Sequence, residues 1–205
     1  MPRAGGEPRV GVLALQGDVR EHLAALSNCD VHAVPVRTRD ELQSVDALVL
    51  PGGESTTMSR LLRVFGLEPA LRDRLDAGMP CLATCAGLIL LSRTVLDGRG
   101  DELALGAFDI AVRRNAYGRQ VESFESDVHV APLGVAPFPG VFIRAPRIES
   151  VGGSAEVIAE LDSEPVAIRQ GPHLGLSFHP EMTGDLRLHE LFVRGVDEHL
   201  ASSAA

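Results

Sequence analysis

The chain of 205 residues contains no lysine: all 19 of its Lys and Arg positions are arginine. That absence excludes a P-loop lysine, a Schiff-base lysine and a kinase-type lysine. Positive charge is also outnumbered, since 28 Asp and Glu leave a formal net charge of −9. A protein that grips nucleic acid along a basic face has the opposite balance. Cysteine is scarce, with three residues and no CxxC pair. This reads as a reducing compartment rather than a disulfide framework, so the cytoplasm is expected. No apolar run approaches the roughly 20 residues that span a bilayer, so no membrane partner is expected. The start, Met1-Pro2-Arg3-Ala4-Gly5-Gly6, lacks the apolar stretch of a secretory signal. Repeats, low-complexity tracts and linkers long enough to split domains are missing as well. What remains is a chain that is 45% hydrophobic. It is expected to form one domain over 1–205, with a core from about 9 to about 200, burying roughly 70% of the surface its unfolded form exposes.

Hydrophobic patterning divides the chain into two halves. In the first, short Val- and Leu-rich runs alternate with helical periodicity. Strands are expected at 9–15, 31–36, 46–50 and 81–84, the first of the kind buried on both faces. Helices are expected from Asp18, at 38–43, at 55–65, at 69–77 and at 86–93. Asp18 with Glu21, and Thr38 with Glu41, stand at capping-box spacing. Strands alternating with helices imply parallel β-α units in a doubly wound α/β sheet. From 108 to 168 the helical period fades and Gly and Pro split short Val- and Phe-containing runs, which implies a small antiparallel insertion or edge sheet. A further buried strand at 174–178 and a closing helix at 186–200 follow. The helix carries Leu188, Leu191, Phe192 and Val196 on one face, and a frayed tail over 201–205 is expected after it.

Three strand ends carry residues suited to chemistry. Cys85 lies between the strand at 81–84 and a helix, a turn that exposes a nucleophile above the sheet edge. The helix start favours a thiolate and offers free backbone N–H groups. Taken alone, Cys85 is as well explained as a small core residue, the reading given to Cys29 and Cys81. His179-Pro180-Glu181 follows the strand at 174–178. On extended backbone, positions i and i+2 point the same way, so Glu181 could orient the imidazole of His179. Gly52-Gly53-Glu54-Ser55-Thr56-Thr57 forms the third loop. Its glycines allow backbone N–H groups to turn towards a ligand, with Gly53 and Ala86 as candidate oxyanion donors. Ser55, Thr56 or Thr57 are alternatively simple helix caps. Parallel strands open all three loops on one edge. His22, His32, His129, His173, His189 and His199 read as surface or satisfied core residues, and Arg113, Arg114 and Arg144 as either carboxylate binders or solubilising groups.

Six strings occur in order: Leu15-Gln16-Gly17-Asp18-Val19-Arg20-Glu21-His22, Leu50-Pro51-Gly52-Gly53-Glu54-Ser55-Thr56-Thr57, Thr84-Cys85-Ala86-Gly87, Arg114-Asn115-Ala116-Tyr117-Gly118-Arg119-Gln120, Phe142-Ile143-Arg144-Ala145-Pro146 and Phe178-His179-Pro180-Glu181. Together they resemble the glutaminase subunits of pyridoxal 5′-phosphate synthase, within the class I glutamine amidotransferases, over about Arg9 to Leu200. The resemblance implies a flavodoxin-like sheet. It also implies hydrolysis of L-glutamine to glutamate and ammonia, with Cys85 as nucleophile, His179 as base and Glu181 as its orienter. Glutamine would be held by Gly53, Glu54, Ser55, Arg114, Ile143 and Arg144. No metal and no cofactor are implied for this chain. The implied partner is a separate (β/α)₈-barrel synthase subunit that receives the ammonia. One position departs from the family pattern: the residue two before the nucleophile, usually Gly, is Ala83. If that position needs positive φ, Ala is strained there by about 1 kcal/mol or more.

Two further expectations concern the partner and rival activities. Free hydrolysis would waste glutamine, so the Gly52-Gly53 peptide is a candidate switch, turned inward by synthase contact near Gln16-Gly17 and Gly52-Gly53. Competing readings are another class I glutaminase, a silent interaction module and a cysteine hydrolase on the same fold. The Glu-Ser-Thr-Thr loop and the Arg-Asn motif argue against the first, and the unbroken Cys85/His179/Glu181 set against the second. A comparison of glutamine with peptide and ester substrates separates the third.

Overall fold

The computed structural model describes residues 7–114 and 123–203. In the first half the elements run β1 (Arg9–Leu13), α1 (Val19–Leu26), β2 (His32–Val36), α2 (Arg39–Gln43), β3 (Ala47–Leu50), α3 (Ser55–Val64), α4 (Leu67–Asp76), β4 (Cys81–Thr84) and α5 (Ala86–Leu91). In the second half come β5 (Ser92–Val95), β6 (Phe108–Arg113), β7 (Ser123–Val128), β8 (Phe138–Ile143), β9 (Arg147–Val151), β10 (Glu156–Leu161), β11 (Glu164–Gln170), β12 (His173–Leu176) and α6 (Arg187–Ser203). The expected elements of the first half are present with ends shifted by a few residues: α4 starts at Leu67, and Ser92 and Arg93, expected in the helix after Cys85, open β5. The closing helix continues to Ser203 rather than fraying at 201, carried by hydroxyl bonds from Ser202 and Ser203 to carbonyls one turn back.

Seven strands form the main sheet in the order β10-β11-β12-β4-β3-β1-β2. The five from β12 to β2 are parallel, and β11 and β10 extend one edge in antiparallel fashion. The irregular half therefore does two things: it lengthens the main sheet, and it builds a small β5-β6-β9 sheet and a β7-β8 hairpin. Strand alternation distributes side chains to two cores. Leu48, Leu50, Cys81 and Ala83 face α3, α4 and α5 and the apolar side of β6. Val10, Val12, Ala47, Val49 and Leu82 face α1, α6 and the hairpin. Ala83 lies inside β4, opposite Leu50 and Gly175. It is not among the positive-φ residues, so the departure from the family pattern costs no backbone strain there.

The two expected capping boxes have different fates. At α2 the box is complete: Thr38 Oγ1 accepts from Glu41 N–H, and the Glu41 carboxylate accepts from Thr38 N–H. At α1 the Asp18 side chain makes no capping hydrogen bond. Its carboxylate is engaged elsewhere, by His179.

The hairpin is pinned by aromatic packing. Phe142 is fully buried, stacks on Phe124 with centroids 4.7 Å apart, and lies 5.3 Å from the Phe178 ring. Because β8 ends at Ile143 beside the site, this packing also sets that wall. Replacing Phe142 by Ala should cost about 3–5 kcal/mol of unfolding free energy, readable by urea denaturation. A loss below about 1 kcal/mol would show that the hairpin is not tied to the core through this ring.

Candidate active site

The C-terminal edge of the parallel strands brings four loops together. They follow β1, β3, β4 and β12 and carry Gln16 to Asp18, Gly52 to Glu54, Cys85, and His179. The first two flank the point where strand order reverses, between β1 and β3, which is where open α/β sheets form crevices. A cavity of about 260 Å³ lies there, and Gly53, Glu54, Ser55, Cys85, Ala86, Arg114, Ile143, Arg144 and His179 all line it. Of the residues expected at the site, Glu181 alone is not on the wall; it stands behind His179. Two larger cavities, of about 570 and 490 Å³, open near the opposite ends of the strands, around Arg74 and around His173. Neither contains Cys85.

Cys85 has φ 47° and ψ −102°, a strained backbone for a residue with a side chain, at the junction of β4 and α5. Its N–H donates to Leu176 O on β12 at 2.9 Å, and its thiol lies 3.8 Å from Ile143 O. His179 is tied to β8 by its own N–H, which donates to Val141 O at 2.9 Å. Its Nδ1 lies 2.8 Å from Glu181 Oε1 and 3.3 Å from Asp18 Oδ2. The neighbouring Pro180–Met182 segment is a 3-10 turn, so Glu181 reaches the imidazole by chain reversal and not by the extended i, i+2 geometry expected. Nε2 of His179 makes no hydrogen bond of good geometry among the described residues, although Cys85 stands close enough to act on the ring electrostatically.

Burial alone would depress the His179 imidazolium, but hydrogen bonding with Asp18, Cys85 and Glu181 outweighs it and pushes the pKa up to about 12. Burial raises the Glu181 carboxyl, against the pull of His179. Asp18, His179 and Glu181 place ligand atoms within 4.8 Å of one another, the one such metal-capable trio among the described residues. Its nitrogen already holds a proton between two carboxylates.

The glycine loops interlock tightly. A Cβ on Gly52 would lie 2.3 Å from Cε1 of His179, and one on Gly17, at φ +101°, would lie 1.7 Å from Gly52 O. Asp18 N–H donates to Gly52 O at 3.2 Å, and Glu54 N–H donates to Gln16 Oε1 at 2.7 Å. No peptide in the described chain is cis, so the N–H of Gly53 points away from the Asp18 amide that holds Gly52 O. Glu54, rather than Ser55, Thr56 or Thr57, caps α3: its carboxylate accepts from the N–H groups of Thr56 and Thr57. Burial opposes ionisation of Glu54, but hydrogen bonds from Thr57 and Thr56 hold its pKa below the ordinary value.

On the far wall, Arg114 donates to Glu102 Oε2 at 2.6 Å and to Glu54 Oε1 at 3.3 Å, and Ser55 Oγ donates to Glu102 Oε1. Arg144, at the end of β8, has φ 45°. Of the Arg-Asn motif, Asn115 to Gln120 lie outside the described residues.

A family model described as the SNO glutamine amidotransferase family matches residues 12–198. The chain belongs to that family. A Streptomyces griseus protein named pyridoxal 5′-phosphate synthase subunit PdxT is 58% identical over 186 residues, covering 91% of this chain and 94% of the relative. A PdxT of Mycobacteroides abscessus is also 58% identical over 186 residues, covering 91% and 96%. A crystal structure of a glutamine amidotransferase superposes with a TM-score of 0.85 at 46% identity, covering 92% of this chain and 98% of that one. The structure of PurLQS from Thermotoga maritima, at TM-score 0.63 and 16% identity over 97% and 100% of the two chains, shares the fold.

This family member surrounds its candidate site with residues that the sequence reading did not assign. Gln16, Asp18 and Ile89 line the cavity, Glu102 holds Arg114, and His22 stands behind Glu181. Asp18 and His22 sit within one of the matching strings, which was the available signal. Glu102 lies outside all of them, in the run between β5 and β6.

Buried histidines also set an acid limit on stability. Burial holds His22 well below the ordinary 6.5, with help from His189 and His179, and lowers His173 and His189 to about 4. Each stays neutral when folded, whereas the unfolded chain takes up its proton near 6.5. Stability should therefore fall with pH from about 6.5 towards 4, by about 1.4 kcal/mol per pH unit for each such group. His179 adds no slope in that window: its raised pKa contributes fully below 6.5 and is lost only as pH rises towards about 12. Urea midpoints at several pH values should show the loss, and His189→Leu should flatten it by about one proton. An identical slope in that variant would mean that His189 is protonated in the folded state.

Proposed function

We propose that this chain is the glutaminase subunit of a pyridoxal 5′-phosphate synthase, forming one domain over 1–205 with its core at about 9–200. It hydrolyses L-glutamine to glutamate and ammonia and passes the ammonia to a synthase subunit with a (β/α)₈ barrel, in the cytoplasm, for vitamin B6 synthesis. One observation carries the reading: Glu181 and Asp18 engage Nδ1 of His179, leaving Nε2 for Cys85. The PdxT names of the relatives supply the product and the kind of partner. The absence of any helix long and apolar enough to cross a membrane, among the described residues, fits the location.

The Cys85 thiolate attacks the side-chain amide carbon of glutamine, and the carbonyl oxygen becomes an oxyanion that the N–H groups of Gly53 and Ala86 receive. His179, held as an imidazolium by its two carboxylates, gives its proton to the departing ammonia. The neutral ring then takes a proton from water, which attacks the thioester and releases glutamate. Glu181 keeps the imidazole in place throughout. Glu54, Ser55 and the backbone at Ile143 shape the glutamine site, and Arg114 and Arg144 supply guanidinium groups for its α-carboxylate.

The oxyanion donor on Gly53 is the step under partner control. Its peptide is held through Gly52 O by the Asp18 amide, on the same loop as Gln16 and Gly17. Synthase contact with that loop releases the bond, and glycine on both sides lets the peptide turn at low steric cost. A missing oxyanion donor costs roughly 10²–10³ in kcat, so the isolated glutaminase should be slower by that order than the complex at saturating glutamine. In the complex, Cys85→Ala should abolish ammonia release, and a glutamine-mimicking electrophile should label Cys85 in the unmutated chain. Equal rates with and without synthase would remove the switch. An adduct on Cys29 or Cys81 would overturn the nucleophile.

Replacing Arg114 or Arg144 by Ala should raise the glutamine KM more than it lowers kcat, because binding common to the ground and transition states is lost. Steady-state kinetics on the complex checks this, and an unchanged KM in both variants would take the pair out of the glutamine site.

A further inference from the structure

Behind the catalytic set lies a second line of polar groups that no step above uses. His22 on α1 and His189 on α6 are fully buried. Nδ1 of His22 lies 3.1 Å from Nε2 of His189, with the two rings 5.3 Å apart at 60°. Nε2 of His22 lies 3.2 Å from Thr84 Oγ1 and 3.3 Å from Glu181 Oε2. Asp18 and His22 are four residues apart, at the start of α1 and in its first turn. One carboxylate meets His179 from the front while an imidazole meets Glu181 from behind.

Hydrogen-bond chemistry assigns the protons. A carboxylate only accepts, so the nitrogen facing Glu181 Oε2 carries hydrogen, directed to Thr84 Oγ1 with the carboxylate oxygen beside it. In a neutral ring, Nδ1 of His22 is then an acceptor and must receive the Nε2–H of His189. Nδ1 of His189 is left bare, and it has no hydrogen-bond partner among the described residues. The reverse assignment sets a lone pair against a carboxylate and buries an N–H of His189 without an acceptor, which is the costlier fault. The position off the N–H axis also accounts for Oε2 of Glu181 having no aligned partner.

We propose that His22 is a positioning residue for the glutaminase reaction: its Nε2–H, bonded to Thr84 Oγ1, sets its positive end 3.3 Å from the far oxygen of Glu181, and His189 fixes the tautomer that lets it do so. The inference rests on the glutaminase reading. Glu181 is fully buried in its side chain, and its burial favours the protonated form. The positive end of an N–H beside Oε2 favours the carboxylate, and an ionised, correctly turned carboxylate is what His179 requires. The titratable groups facing Glu181 are His179, Asp18 and His22, with His189 behind His22 and Cys85 beyond His179.

The test uses the complex with the synthase partner, comparing the unmutated chain with His22→Leu and His22→Gln. Readouts are the thermal midpoint, glutamine kcat and KM, and the pH dependence of Cys85 alkylation by iodoacetamide, located by mass spectrometry. His22→Leu should lower kcat by about 10–100-fold with little change in KM, the scale at which loss of an outer hydrogen-bond partner is felt. The alkylation midpoint should rise by about half a pH unit or more, because a weaker imidazolium stabilises the thiolate less. His22→Gln, whose amide nitrogen reaches the place of Nε2, should recover most of both. If His22→Leu does not fold, His22→Asn replaces it, since its shorter amide reaches towards His189 and not Glu181. The proposal is overturned if the Leu variant keeps wild-type kcat and midpoint, or if Gln is as impaired as Leu or Asn at equal thermal stability. A wild-type complex that releases no ammonia from glutamine overturns the parent reading instead, and the alkylation profile still reports whether His22 acts on the Cys85–His179–Glu181 set.

Discussion

His179 holds one ring nitrogen between two carboxylates, 2.8 Å from Glu181 and 3.3 Å from Asp18. Much of the sheet edge can be understood as what that arrangement demands. Two buried or half-buried carboxylates around one imidazole favour its cationic form, and with Cys85 they push its pKa up to about 12 against the effect of burial. To bring Asp18 there, the β1–α1 loop gives up a helix-capping bond. To bring Glu181 there, the chain reverses in a 3-10 turn directly after His179. Both choices sacrifice local regularity to electrostatics at the site.

Close approach is the second constraint, and it is met by residues without side chains. Gly17 and Gly52 stand backbone to backbone, with Gly52 also against the imidazole, so no Cβ fits at either position. A Cβ on Gly87 would lie 2.2 Å from Leu50 O, so α5 can lean on β3 only through a glycine. The loops of β1, β3 and β4 thereby share one small volume, and the backbone bonds between them make the Gly52-Gly53 peptide part of a network. The strain at Cys85 is tolerated because the residue is tied on the β12 side and followed directly by a buried helix.

Electrostatic pairing at the far wall follows the same rule that buried charge needs company. Glu102, whose side chain is 1% exposed, meets both the Arg114 guanidinium and the Ser55 hydroxyl. Arg114 is thus held at the cavity by acidic residues from two different segments, β3–α3 and β5–β6. The guanidinium is thereby fixed in direction at the cavity wall.

The parallel sheet, the order of its helices and the gathering of Cys85, His179, Glu181 and the Gly53-Glu54-Ser55 loop at one strand edge were legible in the sequence. Buried strands, strand-end glycines and short motifs are local features with local physical causes. The function of Asp18 was not legible, because its spacing to Glu21 satisfies a capping rule as well as any true box does. Only the arrival of His179, 161 residues later in the chain, made another partner stronger. His189 and Glu102 carried no local signal, since a histidine or glutamate at a helical or loop position is ordinarily solvated, and His22 was marked only by lying in a matching string. The sequence alone determined which strands would be buried and which edge would collect the reactive side chains, because periodicity and strand direction are properties of neighbouring residues. The tertiary structure alone decided which charges meet, because a hydrogen bond between α1, α6 and the turn after β12 depends on distances that no spacing along the chain encodes.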